Sequence, residues 1–357
     1  MSLRKFVPLA AFATFAITSC GNDEPKSNDT PTETISDAGV DAVLPAYAYK
    51  RLEGSIAGQA VVMHLQKAGE YINCMYYYKK QGKWILLLPV ENNTQTDFWI
   101  FEEYAPQDAE ARQNITPARI EGRYANGAFT GKWISGDSVK QFDFSLKDSY
   151  PQGSYQFSTM GLRDSAIAFT NKKESPVGRI SKYFPIAVQH DDATWINTQL
   201  RRILYLEQYG NIGLEEAAKK DFARYLSEYK AETAELINSE FTAILNYEST
   251  QEVSIRYNEH SMIIFESKSY DYEGGAHGNF GSAMYCFDVA NKKQLKLSDI
   301  TTADSTQLQT LLEKHFRIQS GLTNGQKLTE ILFENQLLPN DNFYFSNQGL
   351  GFIYNPY

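Results

Sequence analysis

One stretch concentrates the residue types that could do chemistry. Tyr270–Gly278 reads YDYEGGAHG, with two tyrosines, two carboxylates and one histidine around a Gly-Gly pair. The imidazole of His277 has Asp271 and Glu273 close in sequence, and a carboxylate-oriented imidazole suits either ligand recognition or acid–base work. Gly274 and Gly275 permit positive φ and let the backbone approach a ligand closely. A bland reading stands beside this one, in which the glycines serve a turn and the imidazole bonds a loop carbonyl. Tyr270, Asp271, Tyr272, Glu273, Gly274, Gly275 and His277 are therefore the candidate ligand-binding residues. A hydrolase or deacetylase would use His277 with Asp271 or Glu273.

The other reactive residues form weaker sets. The five histidines (His64, His190, His260, His277, His315) show no HExxH or His-x-His spacing, so no metal ligand set and no cofactor is expected. There is no GxSxG elbow. Cys74 and Cys286 sit in strand-like runs and read as buried free thiols. His190-Asp191-Asp192 is explained by a helix N-cap. Glu259-His260 lies between two strands, as an exposed turn. Tyr76–Tyr78 could offer an aromatic platform for sugars, although alternation buries about half of such a run. No P-loop, dinucleotide fingerprint or basic stripe appears, and a net charge of −9 argues against nucleic acid while leaving room for a basic partner.

The elements that must position these residues divide the chain. Residues 45–150 read as all-β: Val61, Met63 and Leu65 alternate with Val62, His64 and Gln66 as in a half-buried strand, and Asn126-Gly127 is a strong hairpin signal. About eight short strands predict a meander, a curled sheet or a small barrel. RLEG at Arg51–Gly54 and RIEG at Arg119–Gly122 echo each other, the shared Gly marking a bulge or a turn. SYPQGS at Ser149–Ser154 is the boundary.

The region 155–357 is mixed. Gly178–Val188 reads as its opening strand. Two amphipathic helices follow, one with Trp195, Ile196, Leu200, Ile203 and Leu204 on a face, the next with Leu214, Ala218, Phe222, Tyr225, Leu226 and Tyr229. Glu248–Tyr257, Ser261–Glu273, Phe280–Val289 and Gln294–Leu297 read as antiparallel strands. A third helix is capped by Asp304 or Ser305, striped by Leu308, Leu311, Leu312 and Phe316, and ended by Gly321. LTEILFEN makes a short fourth helix before Pro339, and two strands finish the chain. Helices and hairpins without regular βαβ alternation predict an α+β class, a β-rich module followed by an antiparallel sheet with packed helices.

Met1–Cys20 is a targeting segment, with basic Arg4 and Lys5, an apolar run from Phe6 to Ile17, and ITSC before Gly21, which resembles a bacterial lipobox. The implication is lipidation of Cys20 and a membrane anchor of acyl chains. Residues 21–44 are polar and Pro/Ser/Thr-rich, a flexible tether. Asp23 and Glu24 resemble the surface-export signal of Bacteroidetes lipoproteins. The expected address is the cell envelope, as an outer-membrane lipoprotein that is surface-exposed or periplasmic.

Four stretches carry a family resemblance: YDYEGGAHG at Tyr270–Gly278, FDVANKKQLKLSDI at Phe287–Ile300, the helical stretch after it, and NFYFSNQGLGFIYNPY at Asn342–Tyr357. On these the region Val177–Tyr357 resembles the RsiV-like C-terminal domain, domain of unknown function 3298. The resemblance implies an extracytoplasmic α+β binding or sensing module, since members occur in anti-sigma factors that sense lysozyme, beside peptidoglycan deacetylase domains, and as lipoproteins. The expected partners are a basic protein such as lysozyme or a peptidoglycan component. The chain lacks the spanning helix and sigma-binding region of the anti-sigma members. It also stops where members usually continue, which points to a truncated C-terminus.

Overall fold

Eight consecutive strands each pair antiparallel with the next, and the eighth returns to the first, closing a barrel. They are β1 (Tyr47–Ile56), β2 (Gln59–Ala68), β3 (Tyr71–Tyr78), β4 (Trp84–Pro89), β5 (Phe98–Tyr104), β6 (Arg119–Ala125), β7 (Ala128–Ile134) and β8 (Gln141–Asp148). The computed structural model describes residues 43–90, 98–104, 116–237, 242–346 and 348–355. The leader, Cys20 and all but the last two residues of the 21–44 tether lie outside the described residues. Inward side chains such as Leu52, Met63, Leu65, Phe101, Phe129 and Leu146 fill the barrel. Asn126 and Gly127 both take positive φ, 50° and 71°, the tight turn that their types favour. The echoed glycines are neither turns nor chance. A Cβ on Gly54 would lie 2.1 Å from the Ser145 carbonyl oxygen, and one on Gly122 would lie 2.7 Å from that of Thr130. Both sit where coiled neighbouring strands press together.

The second unit is a six-stranded sheet in the order β14-β13-β12-β11-β10-β9. Its strands are β9 (Gln156–Ile167), β10 (Val177–Val188), β11 (Glu248–Glu259), β12 (Met262–Tyr272), β13 (Asn279–Asp288) and β14 (Lys293–Gln294). The opening strand is therefore β9, one earlier than the sequence suggests, since its run of polar residues hides the period. Helices α1 (Ala193–Tyr205) and α2 (Leu214–Ala234) lie in the connection between β10 and β11, which makes that pair parallel; the other pairs are antiparallel. Phe184, Ile196, Leu200, Ala218, Val253, Phe265 and Phe287 form the core between helices and sheet. Asp192 precedes α1, but its side chain makes no capping bond and instead pairs with Lys292, while its backbone N–H donates to His190 Nδ1 (3.0 Å). The overall class is α+β.

At the C-terminal end come α3 (Leu297–Ile300), α4 (Ser305–Gln319) and the hairpin of β15 (Phe343–Ser346) and β16 (Gly349–Phe352). Asp304 caps α4, accepting from the Gln307 N–H at 2.8 Å while Gln307 reaches back to the Asp304 N–H. Two expectations fail here. Of the α4 stripe only Leu308 is buried, Leu311 being 51% exposed, because among the described residues little packs over the rest of that face. LTEILFEN forms only a 3₁₀ turn at Leu328–Glu330. Two asparagines complete the edge of β13. Asn342 accepts from Met284 N–H (2.7 Å) and donates to Ser282 C=O (2.7 Å), while Asn355 accepts from Ser282 N–H (2.8 Å). Their amides stand in for a neighbouring strand.

The barrel's outer wall packs on the face of the sheet opposite the helices. Val62, His64 and Gln66 are as buried as their inward neighbours, at 0–2% exposure, so β2 is buried on both faces rather than one. The polar members bond across the seam. Gln66 donates to Val253 C=O (2.8 Å), and the Arg51 Nε–H donates to Asn258 C=O (3.0 Å). Asn258 donates to Tyr49 Oη (3.2 Å), which shares a hydrogen bond with His64 Nδ1 (2.7 Å). The environment favours the neutral imidazole of His64. Burial, then Arg51 and Arg256, hold its pKa well below the usual range. Among the described residues no helix is long and apolar enough to cross a membrane.

Candidate functional site

The YDYEGGAHG stretch forms the end of the β12–β13 hairpin. Strand alternation puts Tyr270 and Tyr272 on one face and Asp271 on the other. Register sets Tyr270 opposite Phe280 and Asp271 opposite Asn279. Tyr270 is 36% and Phe280 47% exposed, a pair of rings left open on a rigid sheet. The tip is held in shape by its own contacts. Gly274 and Gly275 adopt φ of 92° and 98°, conformations that side chains rarely take, and Tyr272 Oη–H donates to Gly275 C=O at 3.1 Å. A Cβ on Gly278 would lie 2.5 Å from the ring of Tyr270, so the absent side chain is what lets that ring settle.

His277 is exposed, and its Nδ1 lies 3.1 Å from Gly278 C=O. A carbonyl can only accept, so Nδ1 is the donor in this contact. Asp271 accepts from Ser249 Oγ–H at 2.7 Å. Glu273 is exposed in the turn. The structure therefore brings all seven candidate residues to one end of one hairpin, where Asp271 is held by Ser249 of the neighbouring strand and the imidazole contacts the carbonyl of the next loop residue.

Several residues absent from the sequence reading complete this end. Glu248 opens β11 opposite Tyr272, and Ile244 and Tyr247 of the preceding 3₁₀ turn (Thr242–Leu245) and its exit stand within 4 Å of the position a Cβ would take on Gly274. Tyr225 of α2 joins them. Burial raises the pKa of its hydroxyl, and the nearby carboxylates of Glu273, Asp271 and Glu248 raise it further. The Tyr247 hydroxyl is raised by burial, then by Glu232 and Glu273. Four tyrosines, Phe280 and four carboxylates thus share the hairpin end, with Arg179 the register partner of Glu248 across β10–β11. Counting in twos from the tip would have found Phe280. Nothing local marks Glu232, Tyr225 or Glu248, because a helix and a distant strand deliver them.

The other reactive residues are structural. Tyr76 and Tyr77 are buried, so Tyr76–Tyr78 is no sugar platform: Tyr76 Oη–H donates to Glu103 at 2.5 Å inside the barrel, and Tyr77 bonds Glu259 across the seam. Cys74 and Cys286 are free and buried, and burial pushes the Cys286 thiol up to about 12. Among the described residues no group of three or more His, Cys, Asp or Glu side chains is placed to hold a metal ion.

With this geometry in hand, comparison with known families separates the chain. Residues 298–357 match the family model described as protein of unknown function (DUF3298). This end of the chain is DUF3298-like. Residues 167–280 match another model, described as Deacetylase PdaC, so the hairpin tip lies in the PdaC-like part and not in the DUF3298-like one. Six solved chains match. One is a member of the DUF3298 family from Bacteroides fragilis, 19% identical, covering 54% of this chain and 81% of that one at a TM-score of 0.49. Another is a DUF3298 family protein from Pseudomonas aeruginosa PAO1, 19% identical, covering 47% and 70% at a TM-score of 0.30. No curated protein matches.

Proposed function

We propose that this chain is a recognition protein of the bacterial envelope, anchored to the outer membrane through Cys20, that binds its partner with the end of the β12–β13 hairpin. The partner favoured is a basic protein such as lysozyme, with a peptidoglycan fragment the next choice. The observation that carries this reading is the exposed Tyr270–Phe280 pair, fixed on a sheet with Glu248 near Tyr270, while Asp271 and Glu273 belong to the same hairpin end. Rigid tyrosines give contact area at low entropic cost. Carboxylates at that end steer a cationic partner and disfavour an anionic one.

A competing reading, a carbohydrate deacetylase or hydrolase using His277 with Asp271 or Glu273, draws on the likeness of residues 167–280 to Deacetylase PdaC. The two separate in one experiment. The chain from Gly21 onward is titrated with hen lysozyme and with peptidoglycan fragments at low and moderate salt, beside the Tyr270→Ala/Phe280→Ala double variant. Acetate release from the same fragments is measured in parallel. Saturable, salt-weakened binding that the double variant loses supports recognition. Turnover that His277→Ala abolishes while binding persists overturns it.

A further inference from the structure

We infer that the cleft between the barrel and the sheet is a second binding site, and that its ligand is a small zwitterion, a free amino acid or dipeptide carrying both an ammonium and a carboxylate. The cleft encloses about 330 Å³ at the end of the molecule where β11 turns into β12. Its walls come from both units, with Glu53, Tyr77 and Lys79 from the barrel and Tyr257, Glu259 and His260 from the sheet. Joints between units are a common place for ligand pockets, and this volume is at the small end of their range of about 300–1,000 Å³. It has room for an amino acid or dipeptide and too little for a folded partner or a glycan strand.

Charge selects the ligand. Arg51, fully buried beneath the cleft, reaches Glu53 with Nη1 (2.6 Å) and Glu259 with Nη2 (3.0 Å). Lys79 meets the other oxygen of Glu53 at 2.8 Å, and Tyr77 donates to the other oxygen of Glu259. Two carboxylates and two cations balance, so the site has no net charge to hold a simple cation or anion. Each carboxylate oxygen lies beside one cation or hydroxyl and keeps acceptor capacity, enough for the three N–H groups of an ammonium. On the other side, Lys79 is the exposed cation of the set, and His260 stands at the rim as a further partner for a carboxylate. A net-neutral dipole satisfies both halves; a singly charged ligand satisfies one.

The rim is also preorganised. His260 and Ser261 both hold positive φ, 55° and 60°, in the two-residue turn between β11 and β12. The turn is pinned from both sides: Ser261 N–H donates to Gly153 C=O (2.7 Å), and Val289 N–H donates to Ser261 C=O (2.8 Å). The backbone that carries His260 is therefore fixed at the rim.

The test is calorimetric titration of the chain from Gly21 onward with glycylglycine, N-acetylglycylglycine and glycylglycinamide. The dipeptide is expected to bind saturably in the millimolar range, with the acetylated form (no ammonium) and the amide (no carboxylate) each at least about tenfold weaker. Lys79→Met, at an exposed position, should weaken glycylglycine about tenfold and leave lysozyme titration at the hairpin end unchanged. Gln152→Trp, on the connector wall of the cleft, should abolish dipeptide binding by filling the space. Absence of saturable dipeptide binding, or equal binding of the three compounds, overturns the inference whatever the lysozyme result.

Discussion

The two ends of strand β12 are built from similar side chains with opposite outcomes. At the barrel joint, Arg51, Arg256, Glu259 and Glu266 are buried or nearly so, and each is paired: Arg51 with Glu53 and Glu259, Arg256 with Glu266 (Nε to Oε2, 2.7 Å) and with Asn73. At the hairpin tip, Glu248, Asp271 and Glu273 lie at or near the surface, and Asp271 is held by the Ser249 hydroxyl of the neighbouring strand. Charge inside a seam must be matched group for group, because removing one partner strands the other in low dielectric. Charge at an edge can stay open to a partner that has yet to arrive. Residue type alone therefore does not separate structure from recognition.

The comparison breaks most easily at Arg51. Arg51→Ala removes the partner of Glu53 and Glu259 and the donor to Asn258 and Ser149, and urea denaturation should show a loss of about 3–5 kcal/mol. A loss below about 1 kcal/mol would mean that the seam is not what joins the two units. Acid attacks the same region in two windows. His64 is held neutral, with a folded pKa well below its unfolded value, so stability begins to fall as pH drops through about 6.5. Burial pushes Glu266 up, but Arg256 and Lys268 outweigh it and hold the carboxyl at about 2. Its stabilisation is complete above the unfolded pKa and is lost as pH falls from about 4.5 towards 2, by about 3 kcal/mol. Glu266→Gln should flatten the lower window and leave the upper one in place.

The tip answers to smaller changes. Gly278→Ala puts a methyl 2.5 Å from the Tyr270 ring, which must swing out of its fixed position. Because that ring is at the surface, unfolding should register only about 1 kcal/mol. Lysozyme affinity should drop about tenfold, as for loss of an aromatic anchor. An unchanged affinity would remove Tyr270 from the binding surface.

Local sequence carries the barrel well. Alternation and turn chemistry act over a few residues, and in a meander each strand pairs with the next, so Asn126-Gly127 and the runs around it suffice. What stayed hidden depends on elements far apart. His64 and Gln66 look like the wet face of a strand until Val253 and Asn258, nearly two hundred residues on, cover them. Leu311 fits a core stripe that little among the described residues covers. At the site, the hairpin and its glycines were legible because they are contiguous. Glu248, Tyr225 and Glu232 were not, since the β10–β11 crossover and α2 bring them there.

His277 provides the finest cut. It drew attention as the sole histidine in a glycine-rich turn, yet it is exposed and its Nδ1 is spent on the next carbonyl. His277→Ala should therefore change stability by no more than about 0.5 kcal/mol, the range of surface substitutions. If the residue serves recognition, it contributes at the rim of the contact, and lysozyme affinity should fall by less than tenfold, well short of Gly278→Ala. A loss of acetate release by orders of magnitude with the fold intact would reverse that ranking. The tip would then be the reacting centre, and its open carboxylates would be working groups like those of the joint rather than bait for a partner.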